Sequence, residues 1–250
     1  MAYIKEFESI KSFYDYLYSN EIKEIYKDKL SSEFGSFKFT TTKNMKKADD
    51  LLLYGDSVNY TEIAAHMGKD ITAQTTTISR PVAAVCGFFP HVPNFIAGVP
   101  TAMVRPEKIR QKNPVLTIYY NMEYCGSVSA DEIVKNGIKL IQIIDYLEQQ
   151  KHIRCNLFVG NFSEFPEKKC GYFVCVKKSN AAFDMQKLAY PLANPSFWRR
   201  HGFRWIEVDG NVPYHPGYGR SVKMTQTDIN KPNTVIINGQ TFTQDIDILF

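Results

Sequence analysis

The chain has 250 residues, of which 44% are hydrophobic and 22% are charged, and its formal net charge is +4. This balance excludes a wholly disordered protein. No apolar run approaches the roughly 18 residues that a membrane helix requires, and the N-terminal run MAYIKEFESIKSF lacks the apolar stretch of a secretory signal. We therefore expect a soluble globular protein with no membrane partner.

The first 70 residues are predicted to be helical. Apolar side chains recur there at three- and four-residue spacings, which is typical of one helix face: Phe7, Ile10, Tyr14 and Leu17. The following run EIKEIYKDKL alternates charges of opposite sign, as solvated helix faces do. Residues 1–70 are therefore expected to form a helical N-terminal layer.

Residues 71–114 are predicted to form a loop-rich connecting layer. Six prolines and the glycines at 87 and 98 argue against long regular elements, although PVAAVCGF could form one short strand. The apolar groups FF, FI and AMV in this segment are too hydrophobic to lie in water. We therefore expect this layer to be ordered and covered.

Residues 115–159 give the clearest structural prediction. VLTIYYN and HIRCNLFVG are rich in β-branched and aromatic residues, which predicts two strands. Between them Ser129 is placed to cap a helix that runs to about Gln150. One helix face is apolar: Ile133, Gly137, Leu140, Ile141, Ile144 and Leu147. Strand, helix and strand in this order predict a parallel crossover unit.

The remaining residues extend this unit into an α/β core spanning 115–250. Strands are predicted at GYFVCVKK, FRWIEV and NTVIING, and a short helix at FDMQKLAY. The fold class is thus α/β with α+β additions. It comprises a partly parallel sheet, a long crossover helix and the helical N-terminal layer, in one compact domain.

The loop between the first core strand and the long helix is the best candidate for chemistry, because ligands bind at the carboxyl ends of parallel strands. Glu123, Ser127 and Ser129 supply carboxylate and hydroxyl oxygens, which suit Mg²⁺. The simpler interpretation is that Ser129 only caps the helix and Ser127 only forms a turn. Asn161, Ser163 and Glu164, after the second strand, are expected near the same edge.

A basic and aromatic run provides a second candidate. Residues 151–223 carry twelve basic and five acidic residues, a net charge of +7. Trp198, Arg199, Arg200 and Arg204 combine cations with flat rings, as nucleic-acid surfaces do. The structural alternative buries at least one of Arg199 and Arg200 against a carboxylate, for which Glu207 is nearest, or against backbone carbonyls.

Catalytic motifs are missing from the sequence. The five histidines are scattered, and no phosphate-binding loop or nucleophile elbow occurs. No catalytic residue and no cofactor other than Mg²⁺ is assigned, and the chain is predicted to lack enzymatic activity. A metal-dependent hydrolase built on Glu123 is the enzymatic alternative.

Three ordered blocks resemble uncharacterised proteins of tailed phages. They are the V-x-x-F-I-x-G-x-P-x-x-M pattern within residues 92–103, the N-x-E-x-x-x-x-V-S-x-D-x-I-x-x-x-G pattern within 121–137, and LANPSFWRR at 192–200. Ser127-Val128-Ser129 before the helix also resembles the D-x-S-x-S metal site of von Willebrand A domains, with its first Asp missing.

The resemblance implies a degenerate von Willebrand A-like core and a non-catalytic phage protein. Such a protein would be virion-associated or assist assembly, in the host cytoplasm or the virion. Its expected partners are other phage proteins or a second copy of itself. Nucleic acid, bound by residues 151–223, is the alternative partner.

Overall fold

The computed structural model describes residues 2–34, 40–66, 77–110, 114–124, 128–182, 184–242 and 245. They form two compact units, which we call the main unit (residues 1–71 and 115–250) and the small unit (residues 72–114). The main unit contains a mixed, mostly parallel six-stranded sheet with helices, and the small unit contains a three-stranded antiparallel sheet. The predicted α/β class is therefore confirmed. Among the described residues no helix is both long and apolar enough to span a bilayer.

The main sheet has the strand order β1-β7-β6-β5-β9, and a short β8 pairs with the end of β6. β5 is parallel to both β6 and β9, whereas β7 is antiparallel to β6 and parallel to β1. The carboxyl ends of β5, β6 and β9 therefore meet at one edge. The strands are Tyr3–Phe7 (β1), Val115–Asn121 (β5), Arg154–Glu164 (β6), Lys169–Lys177 (β7), Arg220–Ser221 (β8) and Thr234–Asn238 (β9).

The long crossover helix, α6, spans Ala130–Gln149. Its first turn is capped by Ser129, whose Oγ accepts a hydrogen bond of 3.2 Å from the backbone N–H of Glu132. All six residues predicted to form its apolar face are buried. Because β5, α6 and β6 follow in this order and the strands are parallel, the predicted crossover unit is confirmed.

The N-terminal segment differs from the helical prediction at its start. Residues Tyr3–Phe7 form the edge strand β1, and α1 (Ile10–Ser19) begins only after Ser9, which caps it. Phe7 therefore belongs to a strand and does not continue the helix face of Ile10 and Leu17. The open edge of β7 provides the hydrogen-bonding partners for β1, and local spacing does not reveal such a partner.

Further helices follow α1 in the N-terminal layer. They are α2 (Ser31–Phe34), α3 (Met45–Tyr54) and α4 (Ser57–His66), with a 3₁₀ turn at Glu24–Tyr26. Phe13, Leu17 and Ala48 are completely buried in the principal core, together with Ile141 and Ile144 of α6. This layer therefore shares one hydrophobic core with the sheet.

The chain after β7 forms α7 (Met185–Ala193), a π-helical segment (Phe197–Gly202) and α8 (Phe203–Val208). The prediction of a strand at FRWIEV is wrong, because the helical backbone of the π-helical segment continues directly into α8. Glu207 on this helix is fully buried and accepts a hydrogen bond of 2.8 Å from Tyr218 Oη. A four-residue helix, α9 (Gln226–Ile229), precedes β9.

The small unit is more regular than its prolines predict. It contains β2 (Thr77–Ala84), β3 (Phe89–Pro90), α5 (Val92–Ile96) and β4 (Met103–Arg110). β2 and β4 pair antiparallel over eight residues each, with Pro81 opposite Pro106. Since proline has no N–H, this pair must occupy a non-hydrogen-bonded position, where no ladder hydrogen bond is lost. The expectation that prolines exclude long elements here is therefore wrong.

Most of the large apolar side chains of the small unit face solvent. We call seven of them the apolar tip, and they are between 39% and 79% exposed: Val85, Phe88, Phe89, Val92, Phe95, Ile96 and Val99. The prediction that this segment is too apolar to lie in water is wrong for FF and FI, whose four residues are 71% or more exposed. The residues of AMV, Ala102, Met103 and Val104, are half-buried. The small unit has a single layer, which gives the side chains of the apolar tip nothing to pack against.

Candidate binding cleft at the carboxyl edge of the sheet

A cleft of about 460 Å³ lies in the main unit at the carboxyl ends of β5 and β6. Its walls come from the residues just after β5, the end of β6, the π-helical segment and the loop around β8. The carboxyl ends of parallel strands are where α/β sheets bind ligands. The residues that line the cleft include Glu123, Asn161, Ser163, Trp198, Arg199, Phe203, Arg220, Ser221 and Lys223.

Glu123 is the acidic side chain of the cleft. It is only 8% exposed, and its Oε2 has no hydrogen-bond partner within the described part of the chain. Burial raises the pKa of this carboxyl, while the charge of Lys223 acts in the opposite direction. An unpaired buried carboxylate destabilises the fold, so a ligand in the cleft that donates a hydrogen bond to the Glu123 carboxylate would offset part of this cost.

Three cationic side chains line the same cleft. The guanidinium of Arg199 lies over the ring of Trp198, with 4.3 Å between its carbon and the ring centroid. Arg220 and Lys223 are exposed, and Lys223 Nζ lies 3.3 Å from Asp245 Oδ1. Since Glu123 is the one acid among the described lining residues, the cleft carries a positive charge.

Polar side chains of β6 and β8 form one wall of the cleft. Asn161 Nδ2 donates to Ser163 Oγ at 2.8 Å, and Ser221 Oγ donates to Asn161 Oδ1 at 3.3 Å. Asn161 and Ser163 are 7% and 4% exposed, so this wall is rigid. The structure thus brings Glu123, Asn161 and Ser163 to one edge of the sheet, as the sequence indicates.

The predicted magnesium ligands are only partly described. Ser127 lies outside the described residues, and Ser129 Oγ serves as the cap of α6. Asn121, the last residue of β5, is held between strands: its Nδ2 donates to Asn238 Oδ1 at 2.9 Å and its Oδ1 accepts from Phe162 N–H at 2.9 Å. Among the described residues no three His, Cys, Asp or Glu side chains form a group that could hold a metal. The site of Glu123, Ser127 and Ser129 stays a prediction.

The predicted interface residues have different environments. Arg200 is 1% exposed, and its guanidinium donates to the carbonyl oxygens of Thr42 at 2.7 Å and Ser32 at 2.9 Å. Burial lowers the pKa of Arg200. The prediction that one of the two arginines is buried against backbone carbonyls is therefore confirmed. The acid expected to pair with it, Glu207, instead lies 3.9 Å from the Arg204 guanidinium.

Two cations of the cleft, Arg220 and Lys223, were not predicted from the sequence, and both come from one loop. Arg220 and Lys223 follow a Pro/Gly/aromatic run that predicts only a turn. They reach the cleft because β8 pairs with the end of β6 through Glu164 and Arg220. The available signal was the positive charge of residues 151–223, which predicts a basic surface but not its location.

The chain belongs to a protein family described as "Domain of unknown function (DUF7192)", which matches residues 1–247. No curated protein and no solved structure matches the chain. The family membership therefore assigns no reaction or ligand to this chain. The two surfaces that could carry a function are the cleft and the apolar tip.

Proposed function

We propose that this DUF7192 protein is a non-catalytic interaction protein that associates with a second copy of itself through the apolar tip of the small unit. The observation that carries this proposal is the exposure of Phe88, Phe89, Phe95 and Ile96, which is 71% or more at each residue. Exposed apolar patches of this kind mark interaction surfaces in folded proteins.

The area of the apolar tip fits a dimer interface. Its three phenylalanines contribute roughly 150 Å² each, and the four aliphatic side chains bring the apolar area to on the order of 800 Å². A standard-size interface takes about that area from each partner. A contact that buried all of this apolar area would therefore be of standard size.

The charge pattern favours a second copy over a charged partner. No Asp, Glu, Lys or Arg occurs between Arg80 and Arg105, so two tips can meet without bringing formal charges face to face. A two-fold contact requires such a self-complementary surface, because each patch meets its own copy.

A phage setting belongs to the same proposal. Four of the seven tip residues lie within the 92–103 block that resembles tailed-phage proteins, and the S-x-S at 127–129 supports a degenerate von Willebrand A-like core. A protein that assembles with itself, or with other phage proteins, fits a virion-associated or assembly role in the host cytoplasm or the virion.

The test compares two double substitutions with matched exposure. Phe95 and Ile96 in the tip are 71% and 79% exposed, and Tyr54 and Val58 in the main unit are 73% and 79% exposed. Sedimentation velocity should show a concentration-dependent dimer for the wild type and for Y54S/V58S. The F95S/I96S variant should be monomeric, because it removes two large exposed apolar side chains of the tip.

Two results would overturn the proposal. One is a wild-type protein that remains monomeric at about 100 μM, a concentration at which a standard-size interface is populated. The other is a dimer that F95S/I96S leaves intact, since the contact would then lie elsewhere. Cosedimentation of a monomeric wild type with anionic lipid vesicles would assign the tip to a membrane surface and would likewise exclude the second copy.

A further inference from the structure

We infer that the cleft at the carboxyl edge of the main sheet binds a small organic phosphate that carries a hydroxyl or amino group at its other end, of the nucleotide or sugar-phosphate class. The inference concerns the main unit alone and is independent of the proposed self-association. It rests on three features of the cleft: its size, its unpaired buried acid and its cations.

The size and position of the cleft suit a metabolite. Its volume of about 460 Å³ falls within the roughly 300–1,000 Å³ of small-molecule sites. It opens at the carboxyl ends of β5 and β6, and the hydrogen-bonded wall of Asn161 and Ser163 makes it a preformed cavity. Preformed cavities lose little conformational entropy when a ligand binds.

Glu123 sets the requirement for one end of the ligand. Its Oε2 is buried and has no partner in the described part of the chain. A carboxylate can only accept hydrogen bonds, so the ligand group that meets it must be a donor, such as a hydroxyl or an amino group. The position of Lys223 close to Glu123 makes a divalent cation a poorer occupant, since two cations would then repel each other.

The cations set the requirement for the other end. Arg220 and Lys223 are exposed on the loop that forms the cleft wall, and Arg199 lies across the ring of Trp198. Guanidinium groups bind phosphate through paired hydrogen bonds, and a lysine adds a point charge. A phosphate is thus the anion that these side chains bind best, and a ligand that also meets Glu123 must carry a hydrogen-bond donor besides its phosphate.

Aromatic side chains complete the lining. Trp198 and Phe203 lie with their ring centroids 6.1 Å apart, and both contribute to the cleft surface. Flat rings of this kind contact the faces of a sugar or a base. A nucleotide and a sugar phosphate both offer a phosphate and a face for these rings, so one experiment with both ligands can distinguish the two classes.

The experiment is calorimetric titration of the full chain with adenosine monophosphate, ribose 5-phosphate and inorganic phosphate. We expect saturable binding of at least one organic phosphate and weaker binding of inorganic phosphate, which lacks the donor end. Tighter binding of adenosine monophosphate would identify the nucleotide class, and equal or tighter binding of ribose 5-phosphate the sugar-phosphate class.

Three variants assign the binding to the cleft. R220Q should weaken the organic phosphate about tenfold, the loss of one charge-assisted contact. K139Q removes an equally exposed cation on α6, outside the cleft, and should leave binding unchanged. E123Q should weaken binding while raising the melting temperature of the ligand-free protein, because a neutral amide is cheaper to bury than a carboxylate.

Several results would overturn the inference. They are the absence of binding heat up to about 5 mM ligand, an R220Q variant that binds like the wild type, and heat with Mg²⁺ alone. Binding of a single-stranded oligonucleotide without binding of the mononucleotide would also exclude it, and would assign the basic loop to nucleic acid.

Discussion

The main unit and the small unit use similar apolar residues in opposite ways. In the main unit Ile141, Ile144 and Phe197 are completely buried, whereas Phe95 and Ile96 of the small unit are more than 70% exposed. The difference arises from the number of layers: the main sheet has helices packed on it, and the small unit has a three-stranded sheet with only the five-residue helix α5. An apolar segment is therefore expected to be buried in some contact, but its composition does not say whether that contact lies within the chain or with another molecule.

Truncating one isoleucine in each unit tests this contrast most strongly. Ile144→Ala should lower the free energy of unfolding by about 2–5 kcal/mol, since it removes buried methyl groups and leaves a cavity. Ile96→Ala should change it by less than about 0.5 kcal/mol, measured on the monomer, because its side chain already lies in water. Urea unfolding followed by circular dichroism measures both. Equal losses would show that the tip packs within its own chain.

The long crossover helix shows how far the sequence predicts this fold. Its apolar period, its cap at Ser129 and its flanking strands are all local signals, and each is confirmed. β1 is missed because YIKEF has no local feature that distinguishes it from a helix, and its strand state depends on the distant β7. α8 is missed because the aromatic alternation of FRWIEV favours a strand, while the preceding helical backbone decides the conformation.

The cleft illustrates the same limit for the site. Glu123, Asn161 and Ser163 are placed at one edge correctly, because Glu123 follows β5 while Asn161 and Ser163 lie near the carboxyl end of the parallel strand β6. Arg220 and Lys223 enter from a loop about 60 residues further along the chain, and only the pairing of β8 with β6 reveals their position. The exposure of the tip could not be predicted either, since the same residues would be buried in a protein with one more layer.

Replacing a buried charge should have the next largest effect. Arg200→Met keeps much of the side-chain volume but leaves the carbonyl oxygens of Ser32 and Thr42 without their donors. We expect a loss of about 3 kcal/mol, because charge-assisted hydrogen bonds are removed and buried acceptors stay unpaired. The exposed Arg220→Met is the matched control and should change the unfolding free energy by less than about 0.5 kcal/mol. A mild effect of Arg200→Met would mean that water reaches those carbonyls.

Acid should weaken the main unit through His201. This ring is completely buried, donates to or accepts from Tyr190 Oη at 3.0 Å and lies 3.1 Å from Asp49 Oδ1. Burial lowers its pKa in the folded protein, although Asp49 acts in the opposite direction. Below the unfolded pKa of about 6.5, the unfolded chain binds a proton that the folded protein does not, so stability falls as pH falls.

The expected size of this pH effect is at most about 1.4 kcal/mol per pH unit, and it ends where the folded ring itself becomes protonated. Urea midpoints between about pH 7.5 and pH 5 measure it. Buried Glu207, whose pKa is raised by burial, favours the folded state as pH falls and so reduces the slope. His201→Gln should flatten the wild-type slope, and an unchanged slope in that variant would exclude His201 as its source.

The pairing of β1 with β7 has a consequence for how this chain folds. Tyr3 lies opposite Cys170, so β1 finds its partner only after the much later β7 has left the ribosome. Contacts between residues so far apart in sequence close slowly, because the intervening chain must first lose its freedom. β1 is therefore expected to join the sheet late, after the crossover unit of β5, α6 and β6 has formed from neighbouring residues. Until then β1 is an unpaired strand with which other chains could pair. A low protein concentration or a bound chaperone during folding should therefore reduce aggregation that begins at this segment.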